Sequence, residues 1–365
     1  MKAAVLYAAN TPLQVEELSV EDPKRGEVMV RVAAGGVCHS DLHVMNGDLG
    51  APLPVVLGHE GAGIVEKVGE GVGDFAPGDH VLLLWRASCG HCPHCLRGRP
   101  ALCEMGTGIR WSGRLTDGTS RFRRGNDEIR HFNGVSSFGE LTVLPREGLV
   151  KIDPTIPLEK AAIVGCAVMT GVGAVVNTAR VAPGESIAVI GCGGVGLNVV
   201  QGAALAGAEK IVAVDVLDNK LEYARQFGAT HVVNAQEGDP IEAVKEITRG
   251  GADYVFEVIG NPKTMSQGYQ MTRRGGTLII VGVARTGSEV SFPAPSLMLD
   301  EKTVRGSLYG SCRPEFDVPR FLNLYRAGKL KLDELISREY PLAQINEAFA
   351  ALAHGEVARS IIRFY

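Results

Sequence analysis

The sequence has 365 residues, of which 45% are hydrophobic and 21% charged, and its formal net charge is -4 at pH 7. That length exceeds what a single hydrophobic core fills comfortably, so two domains are predicted. The ordinary composition excludes a disordered chain, and the mildly acidic balance offers no basic surface for nucleic acid or an anionic membrane.

The chain opens MKAAVLYAANTPLQVEEL, whose apolar stretch is too short for a secretion signal and is followed by no small-residue cleavage site. A cytoplasmic protein is expected, with its thiols reduced. The first 160 or so residues read as β-rich. Strand candidates at 28–32, 63–68 and 80–84 are separated by Gly/Pro turns, and no long amphipathic helix stands out before about Leu158. This part holds Cys38-His39-Ser40-Asp41 and Gly58-His59-Glu60-Gly61.

Cys89, Cys92, Cys95 and Cys103 follow in one short loop. Among reduced thiols such a cluster favours a metal over disulfides. Tetrahedral zinc takes four ligands, so four thiolates close the site and make it structural. His91 and His94, inside the same loop, read as surface residues. The segment 106–138 carries Trp111 and the arginines 110, 114, 121, 123, 124 and 130. A solvated basic face is expected there, and a basic channel for an anionic substrate is the alternative.

From 186 to 282 the chain alternates short apolar runs, at 187–190, 211–214, 231–233, 254–258 and 277–281, with helical stretches such as 220–227 and 240–248. Continuous apolar runs joined by helical crossovers predict a doubly wound α/β domain with a parallel sheet. The most apolar stretch, 186–208, is interrupted by Asn198, Gln201 and several glycines, and so lacks the unbroken length of a membrane span. After the first strand comes Gly191-Cys192-Gly193-Gly194-Val195-Gly196, opening a helix. This is a dinucleotide fingerprint in its proper context. Gly191 permits the tight turn, Gly193 lets the backbone approach a pyrophosphate, and Gly196 permits close packing of helix and strand. The helix N-terminus offers N–H groups to the phosphates. Asp215 ends the second strand, where a carboxylate accepts the ribose hydroxyls and repels a 2′-phosphate, so NAD is expected over NADP. Lys220 adds a contact on the open side of that ribose. Helices at 317–327 and 342–353 and a last strand at 360–364 complete the chain. Cys192 and Cys312 read as inert small residues.

Spacing alone does not join Cys38, His59 and Cys166, although two cysteines and one histidine are a set that leaves a zinc ion one open position. The runs CHSD, GHEGAGIVEKVGEGV, CGHCPHCLRGRPALC and GCGGVG, in that order along the whole chain, resemble the zinc-containing medium-chain alcohol dehydrogenases. The extra segment 106–138 resembles the liver-type and class III-like branch. The resemblance implies a GroES-like catalytic domain over 1–167 that carries the zinc lobe 89–103. It implies a Rossmann NAD-binding domain over 168–309 and a return of 310–365 to the catalytic domain. It places a catalytic zinc on Cys38, His59 and Cys166, beside the structural zinc on Cys89, Cys92, Cys95 and Cys103, giving two zinc ions and NAD per chain. Glu60 then lies behind the metal as an outer or transient ligand, and Asp41 hydrogen-bonds the ring of His59.

The implied activity is reversible hydride transfer between nicotinamide and a small alcohol or aldehyde. Ser40 and His43 form the implied proton path. His39 and Arg359 touch the pyrophosphate, and Thr170, Val195 and Val283 shape the nicotinamide pocket. Class III members oxidise a glutathione adduct of formaldehyde, but here His43 replaces the tyrosine of that class. The stretch after Gly47 reads DLGAPLP, without its acidic pair. A primary alcohol, aromatic ones included, is therefore the expected substrate. The glutathione adduct and a non-catalytic nucleotide-binding scaffold are the alternatives. No nucleic-acid or membrane partner is expected. A homodimer is, formed by pairing 289–299 with its symmetry mate to extend the sheet.

Overall fold

A computed structural model describes all 365 residues. The chain divides into two compact units. The first comprises Met1–Cys166, Arg313–Gly328 and Leu332–Tyr365, and the second Ala167–Cys312 and Lys329–Lys331.

The first unit is organised around one long strand, Glu27–Val37, buried along almost its whole length. It pairs antiparallel with Glu60–Val68, with Leu141–Pro145 and with the C-terminal strand Arg359–Arg363. His80–Leu84 and Leu149–Lys151 extend the sheet on one side, and Ile336–Pro341 extends it on the other. Val28, Val30 and Val32 fill one face with Val65, Val81, Leu83 and Leu144. These β-branched and leucine side chains come from alternate positions, as a pleated strand requires. The register sets Ser360 opposite Val37, so the end of the chain lies beside Cys38. Helix Ile345–Ala353 packs through Ile345, Ala348, Phe349 and Leu352 against Val44 and Met45 of helix His39–Met45.

In the second unit six strands are parallel throughout. Their order is His231–Asn234, Lys210–Asp215, Ser186–Ile190, Ala252–Glu257, Thr272–Ile280, Thr303–Gly306. The chain thus winds outward from Ser186–Ile190 in both directions, the doubly wound arrangement whose switch point is a ligand crevice. Ala188, Ile190, Val212, Val214, Val255 and Leu278 form its core. Asp239 caps helix Pro240–Thr248 by accepting a hydrogen bond from the Ile241 amide, and Asn261 caps Pro262–Met271 in the same way.

One expectation is narrowed. Within the chain 289–293 is unpaired, and Ala294–Leu299 is a helix with Pro295 in its first turn, so only the first part of 289–299 is left without a helix. Proline lacks the N–H that a ladder needs and suits a helix start. The edge of the sheet is Thr303–Gly306, a largely exposed strand with no apolar run to announce it. The helical segment long and apolar enough to cross a bilayer by composition is Leu158–Ala179, and 83% of its apolar window is buried inside the fold. All eight cysteines are free thiols.

Candidate metal and cofactor sites

The cysteine lobe is built locally. Cys92 precedes the helical turn Pro93–Leu96, and the turn Pro100–Leu102 delivers Cys103. Gly90 and Gly98 adopt left-handed conformations (φ 79° and 71°) that let the chain reverse twice. The four Sγ atoms of Cys89, Cys92, Cys95 and Cys103 lie within 4.8 Å of one another. The Cys92 thiol is held down at about 6 by the backbone amides of Cys95 and Glu104. The Cys95 thiol is pushed up to about 12 by desolvation and by its neighbouring thiols. Four sulfurs this close demand a shared cation before all can ionise, and the donor set fits a closed zinc site. His91 is exposed and points its Nδ1 at the Cys89 carbonyl, 2.8 Å away, so neither its place nor its bond makes it a ligand.

The second cluster is assembled from distant parts of the first unit. Cys38 follows strand Glu27–Val37 and starts helix His39–Met45. His59 immediately precedes strand Glu60–Val68, and Cys166 lies in the wide helical turn Val164–Val168. Their ligand atoms also lie within 4.8 Å of one another, and all three residues are buried. Gly58 makes the approach possible: its φ is 90°, and a Cβ there would sit 2.4 Å from Ser137 Oγ. His59 Nε2 is 3.2 Å from Cys166 Sγ. On the other side of the ring, Nδ1 meets Asp41 Oδ2 at 2.9 Å, and Asp41 Oδ1 accepts from the Gly58 amide at 3.0 Å. A carboxylate on Nδ1 leaves Nε2 as the electron-pair donor, which is how metal-binding histidines are commonly fixed. Phe132 and Trp85 stand edge-on to the same ring at 5.9 and 6.2 Å.

Glu60 and Arg359 form a buried ion pair next to this triad, and Arg359 also donates to the Val37 carbonyl at 3.1 Å. Burial pushes the Glu60 carboxyl up to about 7, although the Arg359 charge opposes this. The hydrogen bond from Cys166 and then the charges of Arg359 and His59 hold the Cys38 thiol well below its usual range, against its own burial. Glu60 Oε2 is buried without a hydrogen-bond partner. An orphaned carboxylate oxygen beside two sulfurs and an imidazole fits a site built for a cation. Gly36 clears the space: a Cβ there would lie 2.6 Å from the Glu60 carboxyl carbon.

His39, Ser40 and His43 share the helix that begins after Cys38. His39 is exposed, while Ser40 and His43 are half-buried. In the second unit, Gly191 has φ 96° and Gly193 precedes helix Gly194–Ala206 with no side chain capping it. A Cβ at Gly193 would meet nothing within 4 Å, so this glycine serves no internal packing and leaves its backbone open to a ligand. At Gly196 the reverse holds, since a Cβ would lie 1.8 Å from the Gly191 carbonyl. Val195 and Gly194 are half-buried in the first helical turn. Asp215 Oδ2 accepts from the Cys192 amide at 2.7 Å, and Oδ1 accepts from Val216 and Leu217. The carboxylate is therefore pinned across the glycine loop. Lys220 is buried nearby, and desolvation lowers its ammonium pKa. Val283 is 44% exposed, and Thr170 is half-buried on helix Met169–Gly173. Arg359, expected at a pyrophosphate, is buried on Glu60.

The segment 106–138 departs from the expected solvated basic face. Arg121 is fully buried and paired with Glu27 and Asp117 at 2.6 and 2.8 Å. Arg114 and Arg130 share Glu128, Arg123 pairs with Glu21, and Arg124 pairs with Glu16. Arg110 lies over the Trp111 ring. Most of the positive charge is thus neutralised within the fold.

A family model for the alcohol dehydrogenase GroES-like domain matches residues 24–154, and one for zinc-binding dehydrogenase matches 194–325. The chain is 41% identical over 374 residues to the class-3 alcohol dehydrogenase of Cereibacter sphaeroides, covering 100% of this chain and 99% of that one. The chain belongs to the zinc-dependent alcohol dehydrogenases. It is also 41% identical to S-(hydroxymethyl)glutathione dehydrogenase of Saccharomyces cerevisiae, over 99% of this chain and 95% of the yeast protein. Among solved structures, benzyl alcohol dehydrogenase of Acinetobacter calcoaceticus superposes with a TM-score of 0.95 at 35% identity, covering 100% and 99% of the two chains. As an alcohol dehydrogenase of the class III-like branch, the protein uses zinc and a nicotinamide dinucleotide. Sequence reasoning missed Asp48, whose carboxylate meets His43; nothing in the sequence pattern marks that contact.

Proposed function

We propose that this alcohol dehydrogenase oxidises primary alcohols, aromatic ones included, with NAD, and reduces the aldehydes in reverse. The observation that carries the reading is the buried set Cys38, His59 and Cys166, backed by the partnerless Glu60 oxygen. Zinc bound there supplies Lewis acidity at the reacting oxygen. Asp41 orients the imidazole, and Ser40 receives the hydroxyl proton and passes it toward His43. Burial by Phe132 and Trp85 keeps water from the ring of His59. Asp215 accepts the ribose hydroxyls and repels a 2′-phosphate, which supports NAD over NADP.

The pairing of the arginines in 106–138 supports a neutral substrate, because little unopposed positive charge remains there for an anionic one. The names of the class III relatives favour a second reading, a glutathione adduct of formaldehyde. Measuring NAD reduction with aliphatic alcohols, benzyl alcohol and S-(hydroxymethyl)glutathione separates the two. Turnover of benzyl alcohol without glutathione is expected, and activity confined to the adduct overturns the first reading. The exposed Leu297, Met298 and Leu299 support a homodimer, which sedimentation at working concentration tests.

A further inference from the structure

The proton path proposed above ends at His43, and that histidine is not alone. Its Nδ1 lies 3.2 Å from Asp48 Oδ2, and both side chains are about a third exposed. The backbone builds this contact deliberately. The amides of Asp48 and Leu49 both donate to the His43 carbonyl, at 2.8 and 3.1 Å, so the turn after helix His39–Met45 curls back onto the histidine. Gly47 permits the turn with φ 77°, a conformation that other residues adopt only with strain. A Cβ at Gly47 would in addition press to 3.3 Å from Ala9 Cβ.

A carboxylate can only accept hydrogen bonds. A contact between it and Nδ1 therefore requires the proton to reside on Nδ1, which leaves the lone pair of neutral His43 on Nε2. A relay histidine needs one defined nitrogen free to take a proton, and the bond made by the other nitrogen sets which one it is. Asp41, two residues before His43 on the same helix, does the same for His59, for a metal rather than for a proton. The nearest other ring is His39, its centroid 6.5 Å from that of His43. On the helix Ile345–Ala353 packed against Val44 and Met45, the one ionisable residue, Glu347, is exposed.

From this geometry we infer that Asp48 is the positioning residue of the proton path, holding His43 in the tautomer and orientation in which Nε2 receives the proton of the alcohol and releases it to solvent. No bond to carbon changes at this step. The proton enters at Nε2 and leaves from Nε2 to a water or buffer base, while Nδ1 keeps its own. The inference rests on His43 being the relay, and its test separates the two.

The test compares Asp48→Ala, Asp48→Glu and His43→Gln in the zinc-loaded, full-length protein. The readouts are the single-turnover rate of NADH formation at neutral pH and the 15N spectrum of the histidine rings, with the His43 signals assigned by their loss in His43→Gln. General acid–base transfer contributes ~100-fold or more. For Asp48→Ala, a fall of roughly tenfold in the single-turnover rate is expected, because the ring still samples the productive tautomer. The KM for NAD should change little, and Asp48→Glu should restore part of the rate. The ring spectrum should move from one tautomer, protonated at Nδ1, to a mixture. A His43→Gln rate equal to that of the unmodified protein defeats the relay itself. A slow His43→Gln beside an Asp48→Ala with full rate and an unchanged ring spectrum defeats the role of Asp48 and leaves the relay standing.

Discussion

The two cysteine clusters of the first unit contain the same element at similar spacing, yet they are built in opposite ways. The lobe takes Cys89, Cys92, Cys95 and Cys103 from one loop, and two left-handed glycines suffice to bring them together. The other cluster takes Cys38, His59 and Cys166 from the end of one strand, the start of another and a distant helical turn, so it exists only when the whole unit has folded. The lobe thiols accept hydrogen bonds from backbone amides of the lobe itself. The buried triad is surrounded by an aspartate, a glutamate and an arginine that fix and polarise it. Closure by four sulfurs makes the lobe a staple. Three ligands inside a polar shell leave a position at which chemistry is done.

This contrast can be broken experimentally. The largest effect is expected from Cys166→Ser. Loss of Lewis acidity worth several kcal/mol lowers kcat about a thousandfold, while the zinc content falls from two per chain to one and NADH still binds. Elemental analysis and fluorescence titration of NADH check this, and a variant with full rate would end the catalytic assignment. In the lobe, Cys95→Ala should act on stability instead. Release of the staple costs several kcal/mol and lowers Tm, yet the zinc-replete folded fraction keeps its kcat. If Cys95→Ala abolished turnover in protein that still melts normally, the division between staple and reaction centre would fail.

A smaller change is predicted for Asp41→Asn, which weakens the hold on His59 Nδ1. Zinc affinity at the triad should fall roughly 10- to 100-fold, read by competition with a chelator, with the lobe zinc unaffected. The smallest is His91→Asn. The ring is exposed and bonded to a carbonyl, so metal content should not change and stability should stay within about 0.5 kcal/mol. Loss of zinc in this variant would show that the lobe is not closed by its four sulfurs.

Legibility in the sequence followed the range of the forces at work. The lobe and the glycine loop could be read because their ligands and turns are neighbours in the chain. The strands at 186–190 and 210–215 could be read because burial on both faces demands unbroken apolar runs. The buried triad was legible through family resemblance, since no spacing argument links residues 38, 59 and 166. The stretch 289–299 was legible only in part, because its pairing was implied by resemblance and the helix that Pro295 helps to start at Ala294 was not anticipated. The pairing of Arg121, Arg123 and Arg124 escaped notice for another reason: Glu27, Glu21 and Glu16 stand about a hundred residues earlier, and charge at that distance along the chain leaves no local trace. Asp48 escaped notice because its contact with His43 depends on a turn conformation, not on a motif.

The emptiness reserved at Gly36 has a genetic corollary. The nearest atoms that a single added carbon at that position would meet all belong to Glu60, so it would collide with that carboxyl and displace the partner of Arg359. A Gly36→Ala allele would therefore present as an enzyme defect in a molecule whose ligands are all intact, an inherited lesion that inspection of the ligands alone would pass as harmless.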